Sequence, residues 1–496
     1  MLKLRLTELP RGRHPVAFPA VPGEALPPAY APAAAVARFD AARLNGPWGE
    51  ALRLDGVLGR RTAWLVGAGP PRPLRLEAAG ALAVASMSTE REDKDAQPVR
   101  HAVIDARGLD PASVGQLAMG AGMRGHRLPD LRTGPRRGLR RLDLLVDDAG
   151  AAAPELARVE AVLRGVGLAR DLAAEPANRL TPTSFADRLL GLRKHGIEVV
   201  VHGRDWLERH GYGALLAVGQ GSAHPPRLVV LRWAGAGGGS PVAFVGKGIT
   251  FDTGGISIKP AKGMEAMKGD MAGAAACAGA ILALALRRSP APAIAVLAIA
   301  ENATGATSYR PGDVLRTASG RTVEVVDTDA EGRLVLADAL HHARGLAPRA
   351  MIDLATLTGS IVSALGHHRA GLFGNDDPLR DACMAAGDAV GEPLWPMPIG
   401  ERHRSDLDSA IADLRHCLPP GGGGPGWAGK FLPDACQAAA FLREFAGRDI
   451  PWAHLDIAGM DLREEGVEGG AYPLPPGPSG FGVRLLDRLV ADRFET

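Results

Sequence analysis

The stretch from Asp327 to Leu334 combines residue types that bind metal ions and anions. Charged side chains stand at every second position, with small residues between them; they are Asp327, Asp329, Glu331 and Arg333. In an extended backbone, side chains two residues apart point to the same side. The spacing therefore predicts that three carboxylates and one guanidinium face a single site. The alternative is a solvated acidic turn, with Glu331 near the positive end of a helix dipole.

A second stretch, residues 243–276, carries ionisable side chains among glycines that permit tight turns. These side chains are Lys247, Asp252, Lys259 and Asp270. A short strand is predicted to end at Val245, just before them, and Asp270 is predicted to open a long Ala-rich helix. Both acids also have ordinary explanations, because Asp252 suits a turn and Asp270 suits a helix N-cap.

Four carboxylates from the two stretches are predicted at strand ends or helix starts, on one edge of a sheet; they are Asp252, Asp270, Asp329 and Glu331. Such a cluster is costly in a protein interior unless positive charge compensates it. Oxygen ligands at this density suit zinc, manganese or magnesium, and two ions about 3.5–4 Å apart are a recurrent solution. The residues therefore predict a site for two divalent cations.

Other catalytic signatures are absent from the sequence. Gly246-Lys247-Gly248 does not satisfy the phosphate-loop pattern, because glycine follows the lysine. No HExxH spacing and no Gly-x-Ser-x-Gly elbow occur. The pairs His341-His342 and His367-His368 are predicted to be structural rather than metal ligands. Three methionines at helical spacing suit either a core or an apolar pocket; they are Met264, Met267 and Met271.

Alternating strand and helix signals predict an α/β fold that would position these side chains. Several β-rich runs lack alternation, as strands buried on both faces do, and ligands then bind beyond the carboxyl ends of the strands. We expect a C-terminal catalytic domain (174–496) with a mixed, mostly parallel sheet sandwiched by helices. A helix over 151–173 would join it to a smaller α/β N-terminal domain (1–150). The β-rich runs of the catalytic domain are Glu198–Val201, Arg227–Arg232, Val242–Val245, Ala293–Ile299, Thr322–Val326, Ala350–Leu354 and Ala453–Ile457.

Composition narrows the possible partners and the compartment. The chain has 496 residues and a net charge of +2, from 57 basic and 55 acidic side chains, so nucleic acid and membrane surfaces are not indicated. Its four cysteines form no CxxC pair and are expected to be buried free thiols in a reducing cytoplasm. The N-terminus lacks the apolar core of a signal peptide. The longest apolar run, Met271–Leu286, is shorter than a membrane span of ~20 residues.

At these residues the sequence resembles the leucyl aminopeptidase (cytosol aminopeptidase) family of dinuclear metallopeptidases. That family's signature Asn-Thr-Asp-Ala-Glu-Gly-Arg-Leu matches Asp327–Leu334 at seven of eight places. Further matching segments extend the resemblance over most of residues 171–496, while the first 150 residues match more loosely. They are Asp171–Pro182, Val245–Asp252, Met267–Met271, Glu301–Val314, Asp353–Gly359, Trp452–Gly459 and Gly480–Leu485.

The resemblance implies a role for each matched position. Asp252 and Glu331 would bridge two metals, Asp329 would complete one metal site, and Lys247 with Asp270 would complete the other. Lys259 would be the electrophilic helper, and Arg333 would hold a bicarbonate that acts as general base. Side-chain pocket positions would be Met267, Thr356, Gly359 and Ala458.

The residue types suit these roles. Two metals lower the pKa of a shared water, and a protonated Lys259 stabilises an oxyanion. A lysine ligates metal only as the neutral amine, so Lys247 needs a depressed pKa, which burial and adjacent cations would supply. The planar fork of Arg333 fits a planar anion.

The resemblance further implies a cytoplasmic aminopeptidase that acts on peptides with apolar N-terminal residues such as leucine. It implies two zinc or manganese ions per subunit and a homo-hexamer built as a dimer of trimers. A non-catalytic DNA-binding or regulatory scaffold and another dinuclear hydrolase, such as a phosphoesterase, stand as alternatives. Two features depart from the family: Asp327 replaces the usual Asn, and a Gly/Pro insert occupies Pro419–Gly426 before the Trp427–Pro433 segment.

Overall fold

A computed structural model describes most of the chain: residues 2–9, 14–20, 51–57, 61–67, 74–88, 99–133, 138–236, 238–419, 433–463 and 474–495. Its contacts divide the chain into two compact units. The first comprises Met1–Arg164 with Glu468–Pro476, and the second comprises Gly165–Val467 with Gly477–Thr496. The predicted insert and the segment after it lie outside the described residues, except for Pro419 and Pro433.

The first unit contains a six-stranded sheet in the order β1-β6-β5-β2-β4-β3. Every described pairing in it is parallel except β3 with β4. The strands are β1 (Lys3–Thr7), β2 (Val16–Ala20), β3 (Ala51–Val57), β4 (Arg61–Gly67), β5 (His101–Asp105) and β6 (Arg141–Leu145). The helices are α1 (Arg75–Ser88) and α2 (Pro111–Gly125). Asp110 caps α2 by accepting a hydrogen bond from the Ser113 amide.

The second unit is built on an eight-stranded sheet in the order β15-β14-β17-β13-β9-β10-β8-β7. Its strands are β7 (Glu198–His202), β8 (Arg227–Trp233), β9 (Val242–Asp252), β10 (Ala293–Asn302), β13 (Ala350–Ala355), β14 (Ala370–Gly374), β15 (Leu394–Pro396) and β17 (Trp452–Asp456). The central strands β17, β13, β9 and β10 run parallel to one another. Antiparallel pairings join β14 to β17, β10 to β8 and β8 to β7. This is the mixed, mostly parallel sheet that the sequence predicts.

Two smaller sheets complete the strands of this unit. One joins β11 (Val314–Arg316), β12 (Thr322–Glu324) and β16 (Leu414–Arg415). The other pairs β18 (Leu462–Arg463) with β19 (Gly477–Pro478). The predicted strand over Thr322–Val326 is therefore shorter than expected and lies outside the main sheet.

Helices alternate with the strands along the described part of the second unit. A long helix, α3 (Ala149–Ala174), contains the boundary between the two units. The others are α4 (Pro182–Leu190), α5 (Arg204–Arg209), α6 (Gly213–Gly219), α7 (Ala272–Leu286), α8 (Glu331–Gly345), α9 (Gly359–Leu365), α10 (Asp377–Val390), α11 (Glu401–Ser405), α12 (Asp434–Ala446) and α13 (Val483–Arg493). Two short 3-10 helices cover Gly191–His195 and Met264–Gly269.

Burial of β9 on both faces explains why it reads as a continuous apolar run. Ala243 and Val245 share a core with α8. Gly246 lies against α7, where a Cβ atom would come within 2.5 Å of the Ala274 backbone. Helix α7 is apolar all round because it is enclosed by protein. The stretch Met264–Leu286 is long and apolar enough to cross a membrane by length and composition, yet 83% of its most apolar window is buried here.

Candidate active site

Strand β9 carries the first two candidate ligands, Lys247 near its middle and Asp252 at its carboxyl end. The strand continues to Asp252, so the prediction that it ends at Val245 is wrong. Lys247 therefore sits within a strand rather than in a glycine turn. Its side chain runs under the start of α8, where a Cβ atom on Gly332 would lie 2.8 Å from Lys247 Nζ. A larger residue at this position would force the Lys247 side chain to shift.

The segment Asp327–Arg333 is not extended, so the predicted reason for its convergence is wrong. Residues 327–330 form a turn, and Glu331 is the first residue of α8. Asp327 Oδ1 accepts a hydrogen bond from the Asp329 amide at 2.9 Å, which shapes the turn. Asp329 lies in the turn and Glu331 opens the helix, and this turn-to-helix geometry brings their carboxylates together. The guanidinium of Arg333 contacts other residues.

Asp270 is not the N-cap of the Ala-rich helix. It ends the 3-10 helix Met264–Gly269, and α7 begins at Ala272 with Met271 at the N-cap position. Its carboxylate instead accepts hydrogen bonds at Oδ1 from Lys247 Nζ at 2.8 Å and from Thr356 Oγ1 at 2.6 Å. Asp270 Oδ2 is buried and has no hydrogen-bond partner among the described residues.

Lys247 lies at the centre of the buried part of the cluster. Besides Asp270, its ammonium is 2.9 Å from Glu331 Oε1 and donates to the Thr356 carbonyl at 2.8 Å. Lys247 and Glu331 are 3% and 1% exposed. Burial alone would lower the pKa of Lys247, but the carboxylates of Asp270, Glu331 and Asp252 outweigh it and hold that pKa above its usual range.

Lys259 closes the more open part of the cluster. Its ammonium is 2.9 Å from Asp252 Oδ2 and 2.6 Å from Asp329 Oδ1. One carboxylate oxygen from each of Asp252, Asp329 and Glu331 lies within 4.8 Å of the others. The structure thus brings together all six predicted metal-site and lysine side chains, with Lys247 linking Asp270 to Glu331 and Lys259 linking Asp252 to Asp329.

The charge balance of this cluster suits divalent cations. Four carboxylates and two ammonium groups leave a formal charge of −2 in a mostly buried site. Burial raises the pKa of Glu331 and of Asp270, which marks carboxylates short of positive charge. The unpartnered Asp270 Oδ2 is a further free ligand atom. Oxygen donors of this kind fit zinc, manganese or magnesium. The depressed pKa predicted for Lys247 depends on such ions, because the protein groups alone raise it.

Arg333 lies in the same region with its side chain held between two segments. Its guanidinium donates to the His416 carbonyl at 3.0 Å and to Asp434 Oδ1 at 2.8 Å. Arg333 Nε is buried without a hydrogen-bond partner among the described residues. The guanidinium therefore keeps an unused N–H donor, which a small anion such as bicarbonate could accept.

The four predicted pocket positions lie on three segments of the second unit. Met267 is in the adjoining 3-10 helix, Thr356 follows β13, Gly359 begins α9, and Ala458 follows β17. Of these, Thr356 makes direct contact with the cluster.

Two buried polar residues that the sequence did not identify as site residues hold segments together at this edge of the sheet. Asp456 accepts hydrogen bonds from Leu357 N, Thr358 Oγ1 and Ala458 N, so it joins the segments that carry the pocket positions. Asn302 contacts Asp252. Each is a polar residue at the end of a buried apolar strand, and that pattern was the available signal.

The histidines and cysteines follow the structural interpretation. His342 Nδ1 pairs with the Tyr212 hydroxyl at 2.6 Å, and His367 Nδ1 pairs with the Gly459 carbonyl at 2.8 Å. All four cysteines are free and buried.

Comparison with known proteins identifies relatives of this architecture. Residues 167–487 match the model of the cytosol aminopeptidase family, catalytic domain. A probable cytosol aminopeptidase of Brucella ovis is 48% identical over 358 residues, 72% of this chain and 69% of that protein. One from Afipia carboxidovorans is 40% identical over 464 residues, 92% of this chain and 90% of that protein.

A solved structure is similar over nearly the whole length. The bottromycin maturation enzyme BotP in complex with Mn has a TM-score of 0.82 and 34% identity, covering 97% of this chain and 99% of that one. These relatives do not favour the scaffold or phosphoesterase alternatives. The family match spans the site residues from Lys247 to Arg333, and the chain therefore belongs to the cytosol aminopeptidase family.

Proposed function

We propose that this chain is a metal-dependent aminopeptidase that removes N-terminal residues, apolar ones such as leucine included, from peptides. The observation that carries the proposal is the cluster of four carboxylates and two lysines at the carboxyl end of β9. Its location in a family catalytic domain supports hydrolysis of peptides. A cytoplasmic location is supported by the name of its relatives, probable cytosol aminopeptidase.

Two divalent cations, zinc or manganese, would be held by Lys247, Asp252, Asp270, Asp329 and Glu331. When bound, they supply Lewis acidity and a water whose pKa is lowered enough to give hydroxide near neutral pH. Manganese has support from BotP, which was solved in complex with Mn. Asp252 and Glu331 would serve both ions, as the family resemblance implies.

Lys259 would bind the oxyanion that develops on the scissile carbonyl. Its side chain is 21% exposed, so it borders solvent from which a peptide enters. The carboxylates of Asp252 and Asp329 outweigh burial and keep the pKa of Lys259 above its usual range, so the side chain stays cationic at neutral pH. A preorganised cation at this position stabilises the transition state more than the substrate.

Arg333 would hold a bicarbonate that accepts the proton of the attacking water. Its buried, unpartnered Nε and its remaining Nη hydrogens provide donors for a planar anion. Asp434 holds the guanidinium in place by accepting a hydrogen bond from Arg333 at 2.8 Å. Met267, Thr356, Gly359 and Ala458 would contact the first side chain of the peptide.

Removal of metal is the direct test. Dialysis against a strong chelator is expected to reduce hydrolysis of leucine amide to background, and zinc or manganese should restore it. Circular dichroism before and after chelation controls for unfolding. Elemental analysis should find two ions per chain. Activity that survives complete metal removal would contradict the proposal.

We also propose a homo-hexamer arranged as a dimer of trimers, as the family resemblance implies. Light scattering coupled to size exclusion measures the mass directly. A chain mass of 51.6 kDa makes the hexamer readily distinguishable from a monomer or trimer.

A further inference from the structure

Asn302 ends β10 at the point where the candidate site begins. It lies opposite Asp252 in the parallel pairing of β9 with β10, just after a register shift that follows Ala300. The residue is 1% exposed. Its backbone carbonyl accepts hydrogen bonds from the Thr253 amide and hydroxyl, both at 2.9 Å. The register shift and these contacts fix where its side chain points.

The side-chain amide of Asn302 joins the two stretches that supply the carboxylates. Its Nδ2 donates to Asp252 Oδ1 at 2.8 Å and to the Thr328 carbonyl at 2.9 Å. Thr328 immediately precedes Asp329 in the turn before α8. One NH₂ group thus connects the end of β9 to the turn that carries Asp329.

These contacts assign different tasks to the two oxygens of Asp252. Oδ1 accepts hydrogen bonds from Asn302 and from the Gly254 amide at 2.9 Å. Oδ2 faces Lys259 on the cluster side. A carboxylate whose outer oxygen accepts two donors cannot rotate freely, so its inner oxygen keeps its direction. Groups that orient metal ligands in this way commonly change metal affinity by 10–100-fold when mutated.

Asparagine suits this position for a chemical reason. Both acceptors are oxygens, and the NH₂ group of a neutral amide donates to both of them without adding charge to the site. Asn302 Oδ1, in contrast, is buried and has no hydrogen-bond partner among the described residues. The side chain therefore satisfies two acceptors with its donors while its own acceptor stays unsatisfied, which is costly for a buried group. Such a cost is typical of a functional position.

We propose that Asn302 is a positioning residue that sets Asp252 relative to Asp329 before the cations bind. Its side-chain amide contacts Asp252 and the turn before Asp329, and it acts through Asp252. This inference rests on the proposed function, because it concerns the same dinuclear site.

Tyr309 provides a matched control. Its hydroxyl donates to the same Thr328 carbonyl at 2.9 Å, and the ring is fully buried. Tyr309→Phe therefore removes one hydrogen bond to the turn and leaves the Asn302–Asp252 contact intact. A purely structural role in holding the turn would make the two residues equivalent.

The experiment measures Mn²⁺ binding to the chelator-stripped full chain by calorimetry. Asn302→Ala is expected to weaken Mn²⁺ binding by ~10–100-fold, while Tyr309→Phe should change it by less than ~3-fold. Peptidase activity of Asn302→Ala should be lost at limiting Mn²⁺ and largely recovered at saturating Mn²⁺, because the catalytic groups are unchanged. Asn302→Leu preserves side-chain size and charge but lacks the two donors. It should weaken Mn²⁺ binding as Asn302→Ala does, which would show that an empty space at this position is not the cause.

Equal Mn²⁺ affinity in wild type and Asn302→Ala would overturn the inference, as would equal weakening by Tyr309→Phe. Failure of both Asn302 variants to fold would assign the residue to the fold and reject the role in the site. A wild-type chain that binds no Mn²⁺ and no Zn²⁺ would instead contradict the proposed function.

Discussion

Lys247 and Lys259 make similar ion pairs in regions of different construction. Lys247 projects from the middle of a central strand, and its side chain is 4% exposed. Lys259 lies on the loop after that strand, and its side chain is 21% exposed. Each ammonium lies within 3 Å of two carboxylates. The surrounding elements enclose the side chain of Lys247 more completely than that of Lys259.

The difference separates a ligand from a group that can touch substrate. An ammonium has three N–H donors. Lys247 donates to Asp270 and to the Thr356 carbonyl and lies 2.9 Å from Glu331 Oε1, so its ammonium is enclosed by protein acceptors. Lys259 meets two carboxylates and borders solvent, so a donor remains for an incoming carbonyl. The same residue type is therefore expected to hold metal in one region and to bind an oxyanion in the other.

Replacement of Lys247 is expected to have the largest effect on the site. Lys247→Met keeps an unbranched side chain but leaves Asp270 and Glu331 buried without their cation, a change that typically costs 3–5 kcal/mol of folding stability. One ion per chain should be lost from the expected two. Because a catalytic cation contributes several kcal/mol and each 1.36 kcal/mol is tenfold in rate, activity should fall on the order of 10³-fold.

Chemical denaturation, elemental analysis and leucine amide hydrolysis measure these three effects. Lys262→Met serves as the control, since Lys262 is an exposed lysine on the loop that carries Lys259. Retention of two ions by Lys247→Met would remove Lys247 from the metal site.

The two regions also differ in how far the sequence determines them. The buried core of β9 was predicted because an apolar run is encoded locally, although its end was placed at Val245 rather than at Asp252. The direction of Arg333 was not predicted, because the choice between strand and turn depends on distant contacts. Thr328 exchanges hydrogen bonds with Ser257, 71 residues away, and its hydroxyl donates to the Gly254 carbonyl, 74 residues away. Asn302 was missed for the same reason, since its partners lie 50 and 26 residues away. Residue types at strand ends were predictable, and their mutual orientation was not.

A smaller effect is expected for Lys259, and it should differ in kind. Lys259→Ala removes the proposed oxyanion donor and should lower kcat by ~10²–10³-fold, as loss of one such donor does elsewhere. KM should change much less, because the interaction forms mainly in the transition state. Both ions should remain bound, since the five other side chains of the cluster are intact. Steady-state kinetics with elemental analysis tests this, and Lys262→Ala is the matched control. Loss of metal would erase the distinction between the two lysines.

Asp327→Asn is expected to give the smallest effect and to act on the open region alone. Asp327 Oδ1 accepts the Asp329 amide hydrogen, and an asparagine oxygen at this position can keep that bond. The substitution therefore removes a charge while preserving the turn. Burial raises the pKa of Asp329, and the negative charges of Asp252 and Asp327 add to that rise. Loss of a half-buried charge near a cation costs on the order of 1 kcal/mol, or roughly fivefold in affinity.

Calorimetry of the Asp327→Asn variant should show weaker Mn²⁺ binding at one site per chain, with the other site unchanged. At saturating Mn²⁺, kcat should match that of the wild type. Weakening of both sites to the same degree would mean that the charge acts on the whole cluster rather than on the region of Lys259.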